Sequence, residues 1–283
     1  MTDGKPRHRL LLGHSPDPDD AFMFYGLATG RVDSGRWQFE HVLQDIQTLN
    51  ERAMRGELHI TAISIHAYPH VAKRYALTNC GSSMGDDYGP MVVAREPLDV
   101  AALKGKRIAV PGRMTTAFLA LNLLLGKDSF QHEVVMFDQI LAHVADGRAD
   151  AGLIIHEGQL TYQNQELNCV VDLGVWWKEL TGLPLPLGGN AIRRDLGDEN
   201  MREIAQIIKS SIQYSLDHRN EAVQHAMQYA RDMNLSLADR FVGMYVNHWT
   251  LDYGDMGRAA VRELLKRGHA AKLVPDPGQI DFI

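Results

Sequence analysis

Four short stretches of this chain place side chains that can move a proton or hold an anion directly after segments of strand character. Ile154-Ile155-His156-Glu157-Gly158 sets a histidine at the exit of the most apolar strand in the sequence. A neutral imidazole there, with an ordinary pKa of about 6.5, suits a general base contributing roughly 10² to 10⁴ in rate; a buried histidine bonded to backbone is the competing use of the position. Pro111-Gly112-Arg113-Met114-Thr115-Thr116-Ala117 brings two adjacent hydroxyls to a strand-to-helix turn whose free amides favour an anion. A capping Thr is the alternative there. Ser64 ends another strand and would either donate to a ligand carboxylate or cap the next helix. Ser15-Pro16-Asp17-Pro18-Asp19-Asp20 follows the first strand. Pro18 suits a first helical turn, so this loop either opens amides toward a ligand, with Ser15 and Asp19 as contact candidates, or is a helix cap.

Other chemistries have no signature. The chain has no HExxH, P-loop or Ser/His/Asp set, and no GxGxxG follows the first strand, so neither a metal nor a nucleotide cofactor is suggested. Cys80 and Cys169 lie far apart without CxxC spacing and read as buried thiols. A net charge of -6 and a pI of about 6.1 argue against a nucleic-acid partner. The mean hydropathy of -0.23, with no apolar run near the roughly 18 to 20 residues of a membrane span, reads as soluble. Behind Lys5, Arg7 and Arg9 only Leu10 to Leu12 is apolar, too short for a secretory segment, so the cytoplasm is expected.

The elements that must carry these loops alternate between strand and helix, the pattern of a mostly parallel α/β sheet. Arg9 to Leu12, His59 to Ile65, Gly89 to Ala94, Arg107 to Val110, Val134 to Phe137 and Ala151 to Ile155 read as strands. Ile46, Leu49, Ala53 and Met54 form a helix face closed by Gly56; Thr116 to Leu125 and Gln139 to Ala145 are further helices. Glu199 to about Arg231 and Leu235 to Arg267 read as helix almost without strand. At 283 residues the chain exceeds one ordinary domain, so two lobes are expected. One comprises 1–95 and 190–283, the other 96–189, joined by β-like crossings at Met91 to Arg95 and Leu187 to Arg193. Open α/β sheets bind ligands where strands end and helices begin.

At these loops the sequence resembles the 1,4-dihydroxy-6-naphthoate synthases of the futalosine route to menaquinone. The likeness covers nearly the whole chain and is densest in DIQTLNERAMRGEL, PGRMTTAF, AGLIIHEGQLTYQ and VVDLGVWWKELTGLPLPLGGNAIRRDL. It implies a two-lobed α/β fold like that of type II periplasmic binding proteins, with the ligand cleft between the lobes. It also implies a cofactor-free lyase that turns cyclic dehypoxanthinyl futalosine, a small-molecule carboxylate, into the naphthoate. By resemblance His156 is the catalytic base, and Thr115, Thr116 and Ser64 are substrate-binding groups. A solute-binding or substrate-divergent paralogue on the same scaffold is the alternative. The chorismate dehydratase of the same pathway shares the fold, but IHEGQLTYQ and LGVWWKELTGLP favour the naphthoate synthase branch.

Family members usually read SPCPNDTF where this chain has SPDPDDAF, so Asp17, Asp19 and Ala21 stand at the Cys, Asn and Thr positions. A common lysine is replaced by Ala62 and a frequent arginine by Asp86. The cleft is therefore expected to be more negative, which opposes a carboxylate ligand. Either some of these residues point away or the ligand differs.

Overall fold

Ile60 to Ser64 and Ala151 to Ile154 are buried at every position, as strands covered on both faces must be, and each forms the interior of a different sheet. A computed structural model describes residues 8–230 and 233–283. In chain order the strands are β1 (His8–His14), β2 (Trp37–Leu43), β3 (Ile60–Ser64), β4 (Tyr75–Leu77), β5 (Ser83–Gly85), β6 (Met91–Ala94), β7 (Arg107–Val110), β8 (Gln131–Val134), β9 (Ala151–Ile154), β10 (Asn168–Asp172) and β11 (Leu185–Arg193). The first sheet has the order β2-β1-β3-β11-β4, with β5 also paired to β11; the second has β10-β6-β9-β7-β8. β1 runs parallel to β2 and β3, while β11 is antiparallel to β3. In the second sheet β7 is parallel to β8 and β9, and β6 is antiparallel to β9 and β10.

β6 thus belongs wholly to the second sheet and β11 wholly to the first. The changeovers between sheets fall between β5 and β6 and between β10 and β11. One apolar core joins the sheets, running from Ile63, Leu77 and Leu185 through Trp177 to Val92, Ile108 and Leu153.

Elsewhere the structure departs from the sequence expectations for identifiable reasons. β8 is Gln131–Val134 rather than Val134 to Phe137. As an edge strand it needs no apolar run, and Val134 and Met136 are about half exposed. The helix expected from Glu199 breaks at His218, whose ring stacks on Tyr214, and resumes over Arg219–Ala226; its expected end at Arg231 lies outside the described residues. Leu235 to Arg267 divides into Leu235–Tyr245, His248–Leu251 and Gly254–Ala270, interrupted by a capping box at Asn247 and a left-handed Gly254. Cys80 is buried as expected, but Cys169 is exposed because it lies on the edge strand β10. Among the described residues no helix is long and apolar enough to cross a membrane.

The first changeover is pinned by the helix Leu173–Thr181. Leu173 N–H donates to Pro90 O at 2.8 Å, and the Asp172 carboxylate caps the helix by accepting from Gly174 N–H at 2.8 Å and Val175 N–H at 3.1 Å. Gly174 is pressed against the backbone of Tyr88 and Gly89, leaving no room for a Cβ. Backbone cannot swing aside as a side-chain tip can, so Gly174→Ala should destabilise the protein by about 1–3 kcal/mol in urea unfolding. An unchanged midpoint would show that this contact does not fix the crossing.

Candidate active site

A cavity lies between the two sheets, and Ser15, Asp19, Ser64, Thr115, Thr116 and His156 all line it. Loops distant in sequence therefore converge, because β1 and β3 deliver theirs from the first sheet while β7 and β9 deliver theirs from the second. Asp17, Asp20 and Ala62 share the lining. Asp86 does not: it lies just after β5 and pairs with Lys178 at 2.7 Å, so its charge is met locally.

His156 sits two residues past β9, with its side chain largely buried at 14% exposure. Its Nδ1 is 3.0 Å from Asp17 Oδ2, and the Phe137 ring packs on it at a centroid distance of 3.9 Å. Among the described residues its buried Nε2 has no hydrogen-bond partner. Burial of the ring disfavours its charge, but the charge and hydrogen bond of Asp17, with Glu157 and Asp19 behind them, outweigh this and raise the pKa above the ordinary 6.5. The Ser15 hydroxyl also donates to the Asp17 carboxylate, and Ser15 N–H donates to Asp20 Oδ2 at 2.6 Å.

The neighbouring carboxyl groups hold their protons to higher pH than free ones. Burial, then the charge of Asp17, pushes Asp19 up to about 7. Burial and Asp19 together raise Asp20 well above the carboxylate range. The cleft is accordingly less negative than a count of its acidic residues suggests.

Elsewhere in the lining, Ser64 is held by Asn50, whose side chain donates to Ser64 Oγ and accepts from Ser64 N–H, both at 2.9 Å. Thr115 is the N-cap of Thr116–Leu125: its hydroxyl accepts from Phe118 N–H at 3.2 Å and donates to Gly112 O at 2.9 Å. The Thr116 hydroxyl donates to Leu187 O and accepts from His66 N–H at 3.2 Å. His66, kept neutral by burial with a pKa near 4, closes this network through Nδ1 to Thr115 O at 3.0 Å. Both threonine hydroxyl protons are committed to carbonyls.

Sequence reasoning missed Asn50 and Tyr245. Asn50 is fully buried, and it falls in the i, i+3, i+4, i+7 register of Ile46, Leu49 and Ala53. A polar residue inside an apolar stripe was the available signal. Tyr245 lines the cavity from Leu235–Tyr245 and donates to Gln159 Oε1 at 2.6 Å; coming from a helix rather than a strand end, it gave no comparable sign. Asp17, His156 and Glu157 offer ligand atoms within 4.8 Å of one another. That spacing would admit a cation, but Asp17 Oδ2 and His156 Nδ1 are already hydrogen-bonded to each other.

Residues 10–270 match the family described as menaquinone biosynthesis. The 1,4-dihydroxy-6-naphthoate synthase of Thermus thermophilus is 44% identical over 269 residues, covering 95% of this chain and 97% of that protein. That of Streptomyces coelicolor is 38% identical over 273 residues, covering 95% and 96%. A crystal structure of an Archaeoglobus fulgidus protein is similar with a TM-score of 0.90 at 44% identity, covering 94% of this chain and 99% of that one. The alkanesulfonate-binding protein of Xanthomonas axonopodis pv. citri shares the fold alone, with a TM-score of 0.71 at 13% identity and 98% of each chain covered. The expected periplasmic-binding-protein-like architecture is therefore present, and the chain belongs to the menaquinone-biosynthesis family as an enzyme of the 1,4-dihydroxy-6-naphthoate synthase kind.

Proposed function

We propose that the protein is a lyase that converts cyclic dehypoxanthinyl futalosine to 1,4-dihydroxy-6-naphthoate, with His156 as the general base. The observation that carries this reading is the histidine on the cavity wall, with one ring nitrogen held by a carboxylate and the other unpartnered. His156 Nε2 removes a proton from the cyclised substrate, and the electron pair left behind starts ring opening and elimination. The cavity walls keep the base and reacting carbon oriented.

The substrate carboxylate is read as lying near Ser64, Thr115 and Thr116. With the threonine hydroxyl protons donated to carbonyls, Ser64 O–H and the first amides of Thr116–Leu125 are the donors best suited to it. In this reading Ser15 and Asp19 contact the rest of the ligand; burial and the charge of Asp17 push Asp19 up to about 7, which lessens its repulsion of a carboxylate. The two sheets are the cores of two lobes, and the cytoplasm is the compartment.

Purified protein incubated with cyclic dehypoxanthinyl futalosine should yield the naphthoate by mass detection, with a rate unaffected by EDTA. His156→Asn should lower kcat by about 10² or more with little change in binding. Near wild-type turnover in that variant would exclude the base. A protonated imidazole cannot accept a proton, so kcat/KM should be full above the raised His156 pKa of the free protein and fall below it, placing the acid limb above 6.5.

Ser64→Ala should weaken binding of 1,4-dihydroxy-6-naphthoate by about 10- to 150-fold, the equivalent of losing a hydrogen bond to a charged group. Thr115→Val should instead cost about 1 kcal/mol of stability through the lost helix cap. Calorimetric titration and urea unfolding separate the two. Unchanged affinity in Ser64→Ala would remove that residue from the binding site.

A further inference from the structure

We propose that Asp17 is the positioning residue of the base: from across the cleft it fixes the proton of His156 on Nδ1 and leaves Nε2 as the atom that accepts the substrate proton. This rests on His156 acting as the base. An ionised carboxylate only accepts hydrogen bonds, so the 3.0 Å contact requires Nδ1 to carry the hydrogen and puts the lone pair on Nε2.

Three features set Asp17 apart from an ordinary helix cap. It occupies the N-cap position of the helix Pro18–Met23 with extended backbone, yet its side chain makes no capping bond; the carboxylate is instead bonded to Ser15 and His156. It lies between Pro16 and Pro18, and a residue before proline is held to extended backbone, so the direction of its side chain is set by rigid neighbours. Finally, it follows β1 of the first sheet while His156 follows β9 of the second. The hydrogen bond therefore spans the cleft, and the base is complete only when the sheets stand at this separation.

The charged and titratable groups around the ring are Asp17, Asp19 and Asp20 from the turn before and within the helix Pro18–Met23, Glu157 on its own loop, Asp138 behind the ring, and Tyr245 across the cavity. No Lys or Arg among the described residues lines either cavity that His156 borders. Asp17 is thus the neighbour whose removal should change both the tautomer and the proton affinity of the ring most. Asp19, pushed up to about 7, must be controlled for.

The test is the pH dependence of kcat and KM on cyclic dehypoxanthinyl futalosine for wild type, Asp17→Asn, Asp17→Ala, Asp19→Asn and His156→Asn, with ¹⁵N NMR titration of His156 in the free proteins. Both Asp17 variants should lose about 10² or more in kcat, with KM within about threefold of wild type. Asp17→Asn should also move the acid limb and the His156 titration to lower pH, further than Asp19→Asn does. Wild-type His156 should show the Nδ1–H tautomer at high pH. An Nε2–H tautomer in the wild type, or an unmoved acid limb with unchanged kcat in Asp17→Asn, would overturn the role of Asp17 alone. Wild-type turnover in His156→Asn would overturn the base reading and this proposal with it.

Discussion

A histidine buried between two sheets loses its charge unless something nearby restores the favourable field that water supplied. In this protein that something is a carboxylate from the other sheet, itself only 3% exposed, at 3.0 Å. Neither partner is tolerable alone in that setting: an unpaired buried carboxylate would take up a proton, and an unpaired imidazole would remain neutral with no preferred tautomer. Together they give a ring of defined orientation and raised proton affinity. The architecture is organised to keep the pair together, since the core that runs through Trp177 joins the sheets and the hydrogen bonds of Ser64, His66, Thr115 and Thr116 tie their loops to one another.

The same pair bears on how a cavity so acidic in sequence is accommodated in the fold. Asp17 is met by His156 and Ser15, and Asp86 lies outside the cavity against Lys178. Asp19 and Asp20, crowded by Asp17 and by each other away from water, hold protons to higher pH than free carboxyls would. Like charges in a low-dielectric cleft resolve by protonation before they resolve by repulsion.

Much of this arrangement was legible in the sequence, because strand-end loops announce themselves by an apolar run followed by Ser, Thr, His or Pro. That signal found the loops of Ser15, Ser64, Thr115 and His156, and the structure brings all four to one cavity. It could not tell which hydroxyl protons were already used, since Thr115 bonds its own turn and Thr116 reaches a carbonyl on β11, a strand distant in sequence. Nor could it show that Asp17 faces His156 rather than capping its helix: the two lie on different sheets, and only their packing makes them neighbours. The edge strands β2, β8 and β10 were missed or misplaced for a related reason, as strands with a solvated face need no apolar run. Long helices were found, but their breaks at His218 and Asn247 depend on capping and ring contacts that periodicity does not encode.

The most direct test of the central claim, that chemistry occurs against His156 in the cavity between the sheets, is a crystal structure of the His156→Asn protein with cyclic dehypoxanthinyl futalosine bound. The carbon that loses its proton should lie within contact distance of the side chain at position 156, on the side away from Asp17, with the substrate carboxylate at Ser64 and the start of Thr116–Leu125. A substrate bound with that carbon out of reach of position 156, or with its carboxylate against Asp17 and Asp19, would contradict it.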